Sequence, residues 1–242
     1  MEEISILIGG KAGDGTRLAG KMIAKIFNRY GYYVFVYDDY QSLIRGGHNF
    51  SIIRASKKPI KIHKQEIDVL IALDQKTIDL HQDKLSFEGV LIYDSNVATS
   101  KKGIGVEMTK IIQERKLASI YRNSLTLGFL AKIFNVDFLV IERIIQDLLS
   151  AHQKENVEVA KIGHKIAPEI FNLKPTKEKP KQLLTGNEAI ALGATKAGLE
   201  IYIAYPMTPA TSILHFLAKH KDDFGIKIVQ PENEIAGILM VE

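Results

Sequence analysis

The chain of 242 residues contains no cysteine and no tryptophan. Without cysteine it can form no disulfide, offer no thiol nucleophile and bind no metal cluster through thiolates, so any iron–sulfur chemistry associated with it must sit on a partner. Charge is nearly balanced, with 32 Lys and Arg against 28 Asp and Glu. That small excess is spread along the chain without interleaved aromatics, which argues against nucleic acid as a partner. No apolar run reaches membrane-spanning length. The start, M-E-E-I-S-I-L-I-G-G, is acidic and passes straight into a strand pattern, unlike a secretory leader, so a cytoplasmic protein with no membrane partner is expected. The seven histidines follow no H-E-x-x-H or carboxylate-rich spacing, so no metal site is expected on this chain.

What is present is an α/β pattern. Ile4–Ile8 reads as a buried strand, G-G-K-A-G-D-G-T (9–16) as a glycine-rich loop, the stretch to about Arg29 as a helix, and Tyr33–Tyr37 as a second strand. The polar segment 38–47 reads as a loop. Phe50–Ala55 and Ile60–His63, joined by S-K-K-P, read as a hairpin. D-V-L-I-A-L-D (68–74) and V-L-I-Y-D (90–94) are buried strands that end in an acid, as strands do where a parallel sheet meets a ligand. Residues 109–172 read as helical, broken at Asn135-Val136-Asp137. The lysine- and proline-rich 173–182 reads as a linker between a domain of residues 1–172 and a second, 183–242. The second opens with a capping box at Thr185 and Glu188. It continues through a strand (199–204), a helix (209–220), a strand (226–230) and a new helix start. Its end, I-L-M-V-E, is apolar and uncapped, and sixty residues with two strands cannot cover their own sheet, so a longer subunit is expected.

Four stretches carry candidate chemistry. The 9–16 loop is neither a Walker A motif nor G-x-G-x-x-G, although Asp38 mimics the ribose-binding acid of dinucleotide folds; a packing turn is the better reading. Arg45-Gly46-Gly47-His48 sets a cation beside a backbone open to close approach, which suits an anion, a neighbouring domain or a solvated loop equally. Lys57, Lys58, Lys61 and Lys64 read as a solvated face. In Y-P-M-T-P, Pro206 and Pro209 restrain Thr208, either as a helix start or to present its hydroxyl. In Q-P-E-N-E-I-A-G, Glu232 and Glu234 fall in a first helical turn, where acids meet the helix dipole, or at a strand end facing a ligand.

Taken together, the motifs carry a resemblance. G-G-K-A-G-D-G with D-Y-Q-S-L-I-R-G-G-H-N resembles the gamma domain of the 2-oxoacid:ferredoxin oxidoreductases. G-N-E-A-I-A-L-G-A-x-x-A-G, Y-P-M-T-P and Q-P-E-N-E-I-A resemble the start of that family's alpha domain, the pyrimidine-binding half of a thiamine diphosphate site. The order matches the fused gamma–alpha subunit. The resemblance implies a three-layer gamma domain with a mainly parallel sheet, followed by the incomplete start of a thiamine-diphosphate-binding α/β domain. It also implies oxidative decarboxylation of a 2-oxoacid (2-oxoglutarate or a broad range) with coenzyme A, electrons passing to ferredoxin. Thiamine diphosphate would be shared with a beta subunit that carries Mg2+ and a [4Fe-4S] cluster. Carried over by motif, Glu234 contacts the aminopyrimidine, with Glu232 as the alternative register. Thr208, with Tyr205 and Pro206, binds the 2-oxoacid. Arg45, Gly46, Gly47 and His48 make a coenzyme A or interdomain contact. Ala210-Thr211 stands where the family commonly has Ser-Ser, and the chain stops before the family's substrate-binding arginine, so inactivity in isolation is expected. Two rival readings remain: a nucleotide- or partner-binding module on residues 1–172, and an NAD-dependent dehydrogenase on residues 1–100.

Overall fold

The computed structural model describes residues 1–40 and 47–241. The chain separates into two compact units, Met1–Lys181 and Gln182–Glu242.

The first unit is built on a six-stranded sheet. Its strands are β1 (Glu3–Lys11), β2 (Tyr33–Asp39), β3 (His48–Ser56), β4 (Ile67–Ala72), β5 (Leu85–Asp94) and β6 (Ile104–Val106), in spatial order β2-β3-β1-β4-β5-β6. β1, β4, β5 and β6 run parallel, with Ile6 opposite Val69 and Ile8 opposite Ile71. β1 is buried from Ile4 to Gly10, as expected of a parallel strand covered on both faces. Helix α1 (Thr16–Arg29) lies over one face, where Gly20 meets Ser51 and Ile53. Helix α2 (Gln75–His81) lies over the other, where Ile78 joins Leu7, Ile52 and Leu70 in a common core. The result is the expected three-layer α/β arrangement with a mostly parallel sheet.

Two expectations are corrected. Ile60–His63 is not a strand, and β3 makes no hairpin with it. Both edges of β3 are already filled, by β1 and β2, antiparallel to each, so no hydrogen-bonding edge remains. The 57–66 segment instead runs past, held where Arg54 donates to the Ile62 carbonyl (2.9 Å). Residues 109–172 form not one broken helix but four: α3 (Met108–Glu114), α4 (Arg122–Ile133), α5 (Phe138–Leu148) and α6 (Gln153–Ile166). The chain reverses at Lys116, Asn135 and His152, each at positive φ, and 167–172 is not helical. Asp137 caps α5 by accepting the Leu139 N–H (2.9 Å). The segment read as a linker is tied to the first unit. Leu173 is buried, Thr176 N–H reaches the Tyr30 carbonyl (2.8 Å), and Asn28 donates to the Lys181 carbonyl (2.9 Å).

The second unit contains α7 (Gly186–Lys196), β7 (Ile201–Ile203), α8 (Thr211–Lys219), α9 (Lys221–Phe224), β8 (Lys227–Val229) and α10 (Glu234–Leu239), with β7 and β8 parallel. The capping box at its start is formed: Thr185 accepts the Glu188 N–H, and Glu188 accepts the Thr185 N–H (2.7 Å). No helix among the described residues is long and apolar enough to cross a membrane.

Candidate functional site

In the second unit both motif stretches emerge from the carboxyl ends of parallel strands, β7 and β8, where open α/β sheets place ligands. The Y-P-M-T-P turn follows β7. Its Met207 carbonyl accepts the N–H groups of Ala210 (2.9 Å) and Thr211 (2.7 Å) and the Thr211 hydroxyl (2.6 Å). From α7, the Asn187 amide donates to the Pro209 carbonyl (2.8 Å) and to the Ser212 hydroxyl (2.6 Å). The turn is therefore held at its carbonyls, while Thr208 is exposed and, among the described residues, its hydroxyl has no hydrogen-bond partner. Asn187 stands in the quoted G-N-E-A-I-A-L-G stretch; its tethering of a turn 22 residues away has no local signal.

After β8, Pro231 is buried and Asn233 caps α10, its side chain accepting the Ala236 N–H (2.9 Å). Because Asn233 does the capping, the Glu234 carboxylate is spared for other work. It is exposed and has no ion-pair or hydrogen-bond partner among the described residues. An open groove of about 380 Å³ brings Glu234 together with Tyr205, over a floor that includes Ile203, Ala204, Gly237 and Ile238. Thr208, Pro206 and Glu232 do not line it. Its lining is apolar apart from Tyr205 and Glu234. That donor set suits a flat heteroaromatic ring with one polar edge.

In the first unit the glycine-rich segment is closed on itself. Gly9, Gly10 and Lys11 belong to β1 rather than to the loop. Asp14 accepts the Lys11 N–H (2.9 Å), the Ala12 N–H reaches the Gly47 carbonyl (2.9 Å), and the space a side chain at Gly15 would need holds Ile120 and Asn123. Asp38 is engaged by the Ser51 hydroxyl (2.6 Å) and by Arg17 (3.4 Å). Gly9, Gly10 and Gly15 are closely packed, Gly13 turns at positive φ in open space, and Asp38 is not free for a ribose. The two strand-end acids are likewise spent internally. Asp74 caps α2 through Thr77. Asp94 takes Thr109 and the buried Arg122, whose guanidinium also donates to Asp14 (2.7 Å) and to the Leu73 carbonyl (3.1 Å). Sequence reading missed Arg122 altogether. Nothing local distinguishes it from a surface arginine.

Of the Arg45-Gly46-Gly47-His48 motif, Arg45 and Gly46 lie outside the described residues; Gly47 and His48 are buried. His48 Nε2 meets His81 Nε2 at 2.9 Å, and His81 Nδ1 meets Lys84 Nζ at 3.0 Å. An ammonium only donates, so His81 accepts at Nδ1 and carries its proton on Nε2. His81 therefore donates to His48, whose own proton sits on Nδ1, a buried atom with no hydrogen-bond partner. Burial, the Lys84 charge and the neighbouring His48 push the His81 pKa down to about 4. His48 is lowered too, chiefly by burial. Of the four lysines read as a solvated face, Lys57 pairs with Glu2 and Lys64 with Glu3. Among the described residues no cluster of three or more His, Asp or Glu could hold a metal ion.

A three-layer unit with a mostly parallel sheet, followed by a second unit with a carboxylate-bearing groove at its strand ends, defines the class: a two-unit α/β protein. The pyruvate ferredoxin/flavodoxin oxidoreductase model matches residues 5–166, and the same family's thiamine-diphosphate-binding model matches residues 192–242. The chain belongs to this family. It is similar to the 2-oxoacid:ferredoxin oxidoreductase subunit alpha of a Sulfolobus species, 26% identical over 98% of this chain and 47% of that protein. It is also similar to the ketoisovalerate oxidoreductase subunit VorB of Methanothermobacter thermautotrophicus, 45% identical over 25% of this chain and 17% of that one. Among solved structures, the 2-oxoglutarate:ferredoxin oxidoreductase from Magnetococcus marinus with 2-oxoglutarate, coenzyme A and succinyl-CoA bound matches with a TM-score of 0.84 and 26% identity, over 100% of this chain and 45% of that chain. The chain thus spans about half the length of the relative it matches end to end.

Proposed function

We propose that the chain is the gamma domain and the first part of the alpha domain of a 2-oxoacid:ferredoxin oxidoreductase, active only with a beta subunit and inactive alone. The observation that carries this reading is the free Glu234 carboxylate in an apolar groove at a parallel strand end, within the stretch matched by the thiamine-diphosphate-binding model. The groove fits an aminopyrimidine: apolar walls for the ring faces and one carboxylate to accept from its edge. Glu234 and Tyr205 would hold the ring, with Glu234 the catalytic contact and Glu232, which does not line the groove, the alternative register. Bound thiamine diphosphate supplies the electron sink for loss of carbon dioxide from a 2-oxoacid.

The protein's own contribution is placement. Asn187 and the Met207 carbonyl hold the turn, Pro206 and Pro209 restrict its backbone, and the Thr208 hydroxyl is left to bind the substrate's carboxylate or oxo group. Ordering this donor in advance lowers the entropy lost on binding. Substrate would be a 2-oxoacid, 2-oxoglutarate or a broader set. Coenzyme A would be the acyl acceptor and ferredoxin the electron acceptor, with Mg2+ and a [4Fe-4S] cluster on the partner. Arg45, Gly46, Gly47 and His48 would together make the contact with coenzyme A or a neighbouring domain.

The test is reconstitution. The complete subunit, co-expressed with its beta subunit, is assayed for viologen reduction with thiamine diphosphate, Mg2+, coenzyme A and a panel of 2-oxoacids. Glu234→Gln should lower the rate about 100-fold or more. Thr208→Ala should lower kcat/KM about tenfold, the worth of a charge-assisted hydrogen bond. No reduction with any 2-oxoacid by a cofactor-loaded complex would leave a binding module instead.

A further inference from the structure

We propose that the amino-terminal edge of the first unit's sheet is a docking groove for a short basic, aliphatic peptide segment of a partner protein. The inference rests on the first unit alone and does not depend on the activity proposed above.

The starting observation is an aromatic side chain that the fold does not need. β5 pairs with β4 at Leu85–Ile67 and again at Val90–Val69, so β5 advances five residues while β4 advances two. The stretch Ser86–Gly89, opposite the single residue Asp68, bulges out and carries Phe87 fully into water, at 104% relative exposure. The bulge is a held conformation. A side chain at Gly89 would strike the Ser86 backbone and Leu85, and the Ser86 hydroxyl donates to Asp68 (3.3 Å), which also accepts the Ser5 N–H (2.7 Å). Bulges of this kind re-aim a side chain, and an exposed aromatic beside a cleft has the character of an interface anchor.

Beside Phe87 lies a groove of about 760 Å³, walled on its apolar side by Ile170 and Phe171. Its rim decides the occupant. Glu66, Asp68 and Glu88 line it; Asp68 is held by the Ser5 N–H and the Ser86 hydroxyl and faces the Lys64 charge, while Glu66 and Glu88 have no ion-pair or hydrogen-bond partner among the described residues. Glu3, also in the wall, is already neutralised by Arg54 and Lys64 (2.8 and 2.7 Å). Two unpaired carboxylates, Glu66 and Glu88, outnumber the single amino terminus at Met1 in the same lining, so on a chain of net charge +4 this groove repels acidic partners locally and complements a cationic one. Phe87 offers its ring face to a guanidinium, and the apolar wall takes an aliphatic neighbour. An arginine-bearing segment with alternating aliphatic residues meets all three features.

The experiment uses the complete subunit and two labelled probes, an eight-residue peptide of alternating Arg and Leu and its Glu–Leu counterpart, read by fluorescence anisotropy. The Arg–Leu peptide should bind and should weaken as salt is raised. Affinity should fall about tenfold in the Glu66→Lys/Glu88→Lys double variant and in Phe87→Ser, less in the isosteric Glu66→Gln/Glu88→Gln, and not at all in Glu114→Lys, which is exposed elsewhere on the unit. All these positions are exposed, so thermal midpoints should be unchanged; the Gln pair stands in for any variant that misfolds. Equal binding by all variants, no binding, or binding of the Glu–Leu peptide would overturn the proposal. So would sedimentation showing self-association that the double Lys variant abolishes, because the occupant would then be a second copy.

Discussion

The most consequential single residue of the first unit is Arg122. Its guanidinium joins three strand ends: Asp14 after β1, the Leu73 carbonyl after β4 and Asp94 at the end of β5. Asp94 is completely buried and Arg122 nearly so. Removing the cation leaves a buried carboxylate uncompensated, the costly way to break such a pair. Arg122→Ala should therefore destabilise the chain by about 3–5 kcal/mol, measured by urea unfolding. The His81–His48 pair sets a pH dependence. His81 has its pKa lowered from 6.5 to about 4 in the folded state, and His48 moves the same way. Between those values the unfolded chain binds protons that the folded chain refuses, so stability rises with pH there. It should be full above about 6.5, fall progressively as pH drops, and lose no more to this group below about 4. Urea midpoints between pH 7.5 and 4 on wild type and His81→Gln test this, and the variant should show a shallower decline.

At the scale of elements, α4 and α6 illustrate how one residue type has opposite meanings. A methyl group at Gly128 of α4 would run into the Ala160 carbonyl, and one at Gly163 of α6 into the Leu125 carbonyl. The helices touch backbone to backbone, and neither can give way. Gly128→Ala and Gly163→Ala should each cost at least about 2 kcal/mol by overpacking. Gly193 of α7 has open space where its Cβ would go, so Gly193→Ala in this chain should be neutral or stabilise by about 0.5–1 kcal/mol. Thermal melts of the three variants distinguish these signs. Helix starts were legible, because the Thr185–Glu188 capping box and the Asp137 break are signalled within one turn. The partner of β3 was not. Its apolar alternation fits any edge with matching register, and the chain between Ser56 and Ile67 is short enough to invite a hairpin. β1 and β2, however, bury Ile52, Ile53 and Ala55, which a hairpin on the surface would leave half exposed.

For the molecule as a whole, the two units differ sharply in core. The first encloses β1 and β4, whose apolar residues are almost without exposure. The second buries only a few side chains, with Ala191, Leu217 and Ile226 at its centre, beneath a two-stranded sheet. Local stability follows buried apolar contacts. In hydrogen exchange on this chain, the amides of β1 and β4 should exchange orders of magnitude more slowly than those of β7 and β8. Equal protection in the two units would show that the second draws on stability its own core does not provide.

The sequence by itself determined the alternation of strands and helices, the capping residues, and the motifs that put Tyr205, Thr208 and Glu234 at two strand ends. These signals are short-ranged, because apolar periodicity, proline restraint and capping act within a few residues of the chain. The tertiary structure alone decided which strand lies beside which and how the buried charges pair. It also spared Glu234 by giving the cap to Asn233, tethered the Y-P-M-T-P turn through Asn187, and pushed Phe87 into water. Each of these depends on which distant groups become neighbours, and that is settled by the burial and hydrogen bonding of the whole fold rather than by any local stretch.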